Sequence, residues 1–267
     1  MMGRLEIRDL HFSYTENEEI LKGIDLVLDQ QSTAIIGQNG AGKTTFVKLL
    51  KGLLQPTSGK IVYNGTDLSS MTVAQIAKHI GMVFQNPNDQ IFKNSVIDEV
   101  MFGPMQVGMS KEEAKVHAMD ALEMVGMEKK CKVNPYDLGL SERKLISIAA
   151  ILAMDPEVII FDEPTIAQDY AGKKCIGEIV EHLRNQGKLV LTIIHDMDFV
   201  AEHFDRAVVF AKGGVLLDGN PEKVFSRAEI LEKAFLEQPN VTRLCHALGY
   251  EETFLTTDDF VEYKKGQ

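Results

Sequence analysis

Residues 37–45 read Gly37-Gln38-Asn39-Gly40-Ala41-Gly42-Lys43-Thr44-Thr45. From Gly37 to Thr44 they fit the pattern G-x-x-x-x-G-K-[ST], a loop whose glycines let backbone N–H groups curl around phosphate oxygens. Lys43 is the cation for the outer phosphates, and the Thr44 hydroxyl is a ligand for Mg²⁺. A second candidate is Val158-Ile-Ile-Phe-Asp-Glu163, an apolar run ending in two carboxylates. Asp162 can enter the shell of a divalent cation, and Glu163 can orient or deprotonate an attacking water. A third is Ile193-Ile-His195-Asp196, again at the end of an apolar run. His195 there can contact a terminal phosphate and register its loss.

These residues need elements that bring them together. Thr33–Ile36 reads as a buried strand before the glycine loop, and Thr44–Leu53 as a helix after it, the context that such a loop requires. Gly81–Phe84, Val158–Phe161 and Leu189–Ile194 are further short apolar strands. Between them lie helical stretches at Ser110–Val125, Ser141–Met154 and Gly172–Asn185. Ser110 with Glu113 three residues on is a capping-box start, and Asp155-Pro156 is a stop signal. Such alternation implies a parallel sheet covered by helices. Its strands deliver their C-terminal residues to one edge, where phosphates bind. Ahead of this core, Leu5, Ile7, Leu10, Phe12 and then Ile24, Leu26, Leu28 suggest half-buried strands. Val208–Phe210 and Val215–Leu217 suggest a late hairpin around Gly213-Gly214, and residues 226–267 a helix-rich appendage.

The chain has 267 residues, 45% hydrophobic and 25% charged, enough for a sizeable core. No apolar run approaches the roughly 20 residues of a membrane helix, and Met1–Glu6 carries no apolar signal segment. The expectation is a cytoplasmic chain that reaches a membrane only through partners. A net charge of −11 argues against broad nucleic-acid binding, which needs basic surface. Cys131, Cys175 and Cys245 are far apart and are expected to be reduced, structural thiols.

In their order and context these motifs resemble those of the ABC ATPases, over about residues 4–225. The resemblance implies an α/β P-loop ABC ATPase fold. Its parts would be a RecA-like parallel-sheet core, an N-terminal antiparallel β subdomain and a helical signature subdomain at about 86–155. The ATPase domain would span 1–225 and a small C-terminal extension 226–267. ATP and Mg²⁺ are the implied cofactors. Tyr14 matches the aromatic that stacks on adenine. Gln85 matches the glutamine that contacts Mg²⁺ and water, and His195 the switch histidine. Gly139, Leu140, Ser141 and Glu142, after Leu138, lie where the signature Leu-Ser-Gly-Gly-Gln belongs, the segment turned toward a partner's ATP. Asp169, in Thr165-Ile-Ala-Gln-Asp169, matches the D-loop aspartate at the dimer interface.

Phe84-Gln-Asn-Pro-Asn-Asp-Gln-Ile-Phe92, Asn134-Pro-Tyr-Asp-Leu138 and Leu236-Glu-Gln-Pro-Asn240 are similar to segments of the energy-coupling-factor and cobalt/nickel importer ATPases. That group implies a peripheral subunit at the cytoplasmic membrane face, working with a transmembrane coupling protein and a substrate-binding membrane protein. Residues Asn86–Phe92 would dock the membrane partner. Phe84 is expected in the core, and Ile91 and Phe92 are open between core and surface. The signature departs from the family: Gly139 replaces serine, while Leu140 and Ser141 replace glycines. Gln168 replaces the usual leucine before Asp169. Ser141 is read either as a phosphate contact or as the cap of the helix that it opens. The weakened signature favours a heterodimer with a second ABC ATPase. The alternatives are a soluble ABC ATPase acting on DNA or ribosomes, and a P-loop kinase. Against the first stand the acidic charge and the lack of a coiled-coil insertion or second cassette; against the second, Glu163, His195 and the signature region.

Overall fold

The computed structural model describes residues 3–266. Met1, Met2 and Gln267, included in the readings of the N-terminus and the tail, lie outside the described residues. Along the chain come β1 (Leu5–Thr15), β2 (Glu18–Leu28), β3 (Ser32–Ile36), α1 (Lys43–Leu50), β4 (Ser58–Tyr63) and β5 (Thr66–Asp67). Then follow α2 (Val73–His79), β6 (Ile80–Val83), α3 (Val96–Gln106), α4 (Lys111–Met124), α5 (Leu140–Leu152), β7 (Val158–Asp162) and α6 (Tyr170–Asn185). β8 (Leu189–Ile193), α7 (Met197–His203), β9 (Arg206–Ala211) and β10 (Gly214–Gly219) complete the core. The remainder is helical: α8 (Pro221–Phe225), α9 (Ala228–Lys233), α10 (Asn240–Ala247) and α11 (Thr257–Lys265).

Two sheets form. One is antiparallel, in the order β2-β1-β4-β5; the other runs β10-β9-β3-β8-β7-β6, parallel from β9 to β6 with β10 antiparallel at its edge. Every residue of β3, β7 and β8 is buried because both faces of a parallel sheet are covered, and the strands are apolar except at Ser32, Thr33, Asp162 and Thr192. In β1 the apolar spacing slips from two to three between Ile7 and Leu10. The ladder shifts register there, and Asp9 adopts a positive φ of 46°, so a bulge returns Leu10 to the buried face. Gly213 turns the expected hairpin between β9 and β10 with φ +88°.

Three helices differ in their bounds from the sequence reading; the one expected over Gly172–Asn185 is α6, Tyr170–Asn185, opened two residues earlier by the Asp169 cap. The helix expected over Thr44–Leu53 is α1, Lys43–Leu50; Gly52 turns left-handed (φ +71°) and the Leu53 N–H returns to the Lys48 carbonyl. The helix expected over Ser141–Met154 is α5, Leu140–Leu152, with Gly139 as its N-cap. The Glu142 carboxylate accepts from the Gly139 N–H (3.2 Å), which sets Glu142 at the third helical position and Ser141 inside the first turn. The capping box at Ser110 and Glu113 forms as expected.

Helices α3, α4 and α5 pack on one another as a lobe beside the β6 edge. Among the described residues, no helix is long and apolar enough to cross a membrane.

Candidate active site

The parallel strands place the candidate residues at one edge. β3 ends at Ile36 and runs into the glycine loop, while β7 ends on Asp162 and β8 two residues before His195. β6 ends two residues before Gln85. In the loop, Gly37 has φ +152°, and a Cβ there would lie 2.3 Å from the Phe210 carbonyl oxygen, so only glycine fits. The Lys43 ammonium donates to the carbonyls of Gly37 (2.6 Å) and Gln38 (3.0 Å). Its burial lowers its pKa, opposed by the charges of Glu163 and Asp162. The loop borders a cleft of about 210 Å³ lined by Asn39–Thr45, Ile20 and Glu163. Tyr14 stands exposed at its rim, edge-on to Phe12, with its hydroxyl 3.4 Å from Thr45 Oγ1.

Across the cleft three side chains converge. Glu163 Oε2 accepts from Gln85 Nε2 (3.3 Å), and Glu163 Oε1 lies 3.2 Å from His195 Nε2. Glu163 itself has φ +49°, a left-handed conformation that costs a non-glycine about 1–3 kcal/mol. The Glu163 N–H donates to the Ile193 carbonyl (3.0 Å), which pins the turn to β8. The resulting trio holds a carboxylate between a neutral donor and an imidazole, an arrangement suited to aligning and deprotonating a water.

Asp162 is 4% exposed, and its Oδ1 is buried with no hydrogen-bond partner. Burial, then the Glu163 charge, pushes its pKa up to about 6, against Lys144, Lys48 and Lys43. A buried carboxylate oxygen with an unused lone pair, one residue from Glu163, fits a divalent cation. Mg²⁺ needs only one or two protein ligands beside its phosphates and waters.

Sequence reasoning missed two residues. Ile20 lines the cleft from β2. Lys144, fully buried in α5, donates to the carbonyls of Phe84 (2.9 Å) and Gln85 (2.5 Å). Burial lowers its pKa to about 8, opposed by Asp162 and Glu163. The available signal was a lysine four residues before Ile148 on the apolar face of a helix.

In the signature region the structure overturns one of the two readings of Ser141, that of a helix cap. Ser141 caps nothing, because the helix starts before it; its hydroxyl donates to Gln168 Oε1 (2.9 Å). Gly139 has an ordinary φ and room for a Cβ at ordinary contact distance from Glu142, Leu140 is 43% exposed, and Glu142 is also paired with Lys130. Asp169 caps α6 by accepting from the Gly172 N–H (2.8 Å). Phe84 is only half-buried against the core; Ile91 is buried and Phe92 is 54% exposed.

A glycine phosphate loop, an acidic β7 terminus and a β8 histidine on one parallel sheet, with a helical lobe and an antiparallel sheet attached, define an ATPase of the ABC type. The profile described as "ABC transporter" matches residues 21–166, more than half of the chain. A putative ABC transporter ATP-binding protein of Pyrococcus furiosus is 37% identical over 246 residues, covering 92% of this chain and 94% of that protein. The energy-coupling factor transporter ATP-binding protein EcfA of Methanocaldococcus jannaschii is 36% identical over 251 residues, covering 93% and 90%. The structure of cbiO1 from Clostridium perfringens, described as part of the ABC transporter complex cbiONQ, superimposes with a TM-score of 0.77. It is 31% identical, covering 92% of this chain and 98% of that one. The chain belongs to the ABC transporter family, as an ATP-binding and ATP-hydrolysing subunit.

Proposed function

We propose that this ATPase powers substrate import through a membrane transporter of the energy-coupling-factor type. The observation that carries the hydrolytic part is the Gln85–Glu163–His195 trio facing the phosphate loop. Lys43 and the N–H groups of Gly37–Thr45 bind the triphosphate, and Tyr14 stacks on adenine. Thr44, Asp162 and Gln85 would hold Mg²⁺, which when bound neutralises phosphate charge. Glu163 aligns the attacking water and takes its proton, and His195 meets the terminal phosphate. The buried Lys144 holds the backbone on which Gln85 is mounted.

The energy-coupling-factor reading is supported by the names of the relatives, its import direction by the resemblance of the segments quoted above, and the docking reading by an exposed apolar patch after Gln85. Phe92 stacks edge-on against Phe102, Tyr136 donates to the Ile91 carbonyl (2.7 Å), and Met105 lies exposed one turn beyond Phe102. Such a patch suits helices of a transmembrane coupling protein, itself joined to a substrate-binding membrane protein. The chain is then peripheral, at the cytoplasmic face. A second ABC ATPase is the other partner, in a head-to-tail pair across Asp169. The signature side chains of this chain are bound internally or apolar, which favours a heterodimer in which the partner presents the standard signature to this Lys43–Glu163–His195 site. The same reading divides the chain into an ATPase body, 1–225, with its helical lobe at about 86–155, and an extension, 226–267.

The test is Glu163→Gln. ATP binding is expected to persist while hydrolysis falls by about 10²-fold or more, the scale of a lost general base. Wild-type turnover in that variant would assign water activation elsewhere. Cysteine at Phe92 should cross-link to a multi-span membrane protein; capture of soluble proteins alone would overturn the import reading.

A further inference from the structure

Two of the four departures from the family pattern, Ser141 and Gln168, meet in space. Ser141 lies in the first turn of α5, and Gln168 ends the loop that leads from Glu163 into α6. Ser141 Oγ donates to Gln168 Oε1 (2.9 Å), and Gln168 Nε2 donates to the Ser141 carbonyl (3.2 Å). A third residue makes room. A Cβ at Gly172, in the first turn of α6, would lie 2.2 Å from Gln168 Oε1 and 3.2 Å from its Cδ. Gly172 has no left-handed φ, so the backbone does not call for glycine there; the side chain of Gln168 does. Glycine inside a helix lowers stability relative to alanine, and this one admits the clasp.

The loop between is strained. Glu163 (φ 49°) and Ala167 (φ 61°) are both non-glycine residues in the left-handed region. Such conformations persist only where the surroundings over-determine them. At the near end the restraints are the Ile193 carbonyl, Gln85 and His195. At the far end they are the Asp169 cap and the Ser141–Gln168 pair. Two reciprocal hydrogen bonds fix register as well as distance, whereas an apolar contact at residue 168 could slide.

We propose that Ser141, Gln168 and Gly172 form a clasp that positions the loop 163–169, and with it the Glu163 carboxylate, against the first turn of α5. The signature end and the hydrolytic carboxylate of one subunit then move as a unit. The clasp rests on the reading of Glu163 as the hydrolytic carboxylate. Ser141 has a single hydroxyl proton, and the clasp uses it. While it is closed, that hydroxyl offers an anion only lone pairs, so anion contacts from this turn fall to backbone N–H groups.

The experiment uses the full-length chain and Ser141→Ala, Gln168→Leu, the double variant, Gly172→Ala and Ser141→Thr. Hydrogen exchange is followed over residues 163–172 without nucleotide, and steady-state ATP hydrolysis gives kcat and KM. Ser141→Ala and Gln168→Leu should each speed exchange in that segment. Each should lower kcat roughly threefold to tenfold, the factor that one hydrogen bond of ordinary net strength represents. The double variant should be no worse than either single one, because the pair acts as one interaction. Gly172→Ala should reproduce the loss by displacing Gln168, and Ser141→Thr should retain wild-type hydrogen exchange over residues 163–172 by keeping the hydroxyl. KM for ATP should stay within about twofold, since the phosphate loop is untouched. Unchanged exchange in both single variants, additive losses of kcat, or KM rising as far as kcat falls would each overturn the clasp. Glu163→Gln in the same preparation separates the two levels. If it hydrolyses ATP at the wild-type rate, the reading of Glu163 fails, while the exchange data still decide whether the clasp exists.

Discussion

Asp162→Asn isolates the energetic cost of keeping a carboxylate ready at the end of β7. Asp162 is 4% exposed, and its Oδ1 has no partner. Its pKa stands at about 6 instead of 3.8, chiefly through burial and then through Glu163. For an acid, a raised pKa in the folded state means that the ionised form opposes folding. The penalty is absent below the unfolded value and fully present above the folded one. It amounts to about 3 kcal/mol at pH 7, and about half of that is gone by pH 5. Asparagine keeps the shape but cannot ionise. Its amide carries a hydrogen-bonding cost of its own, but one that does not vary with pH. The stability difference between the two proteins should therefore shift in favour of the variant by about 1–1.5 kcal/mol between pH 5 and pH 7. The assay is urea unfolding of both proteins in EDTA at several pH values, compared as differences at each pH. Mg²⁺ with ATP should narrow the gap at pH 7, because the cation supplies the missing counter-charge. Parallel pH curves for the two proteins would refute the argument, since they would mean that Asp162 is not ionised at a cost in the folded chain.

Three further outcomes are expected. Lys43→Ala should nearly abolish ATP binding in calorimetry by leaving phosphate charge uncompensated; wild-type affinity would remove the loop from the site. His195→Ala should bind ATP normally and lose turnover by roughly tenfold or more, as expected for loss of a group that acts on the reacting phosphate; unchanged turnover would take His195 out of the mechanism. Lys144→Met should destabilise the chain by about 2–4 kcal/mol in urea unfolding, because the carbonyls of Phe84 and Gln85 lose a buried charged donor; a loss below about 0.5 kcal/mol, no more than an ordinary surface substitution gives, would show those contacts to be idle.

The glycine loop, the Asp162-Glu163 pair and the alternation of strand and helix were legible in the sequence because each is a local property. A phosphate cradle needs a contiguous run of small residues before a helix, and a strand covered on both faces must be apolar along most of its length. Leu5, Ile7, Leu10 and Phe12 marked a half-buried strand, but the bulge at Asp9 that keeps Leu10 on the buried face needed the partner strand. Helix ends were read less well, since α5 begins where the Glu142 carboxylate reaches back to the Gly139 N–H and not where the first hydroxyl stands.

Contacts between distant residues were decided by the tertiary structure alone. Gln85 and Glu163 are 78 residues apart, and Lys144 and Phe84 are 60 apart. No spacing rule reports such pairs, because the parallel sheet aligns strand ends without regard to their order along the chain. Ser141 shows the limit most clearly. Its residue type suggested a helix cap; it caps nothing, and its one proton goes to Gln168, 27 residues on, through a gap left by Gly172. The sequence by itself determined which chemistry the chain carries, because that chemistry is written in residue types and short spacings. Which side chains share a proton, a charge or a strained turn was decided only by packing, because those interactions depend on distances that folding alone creates.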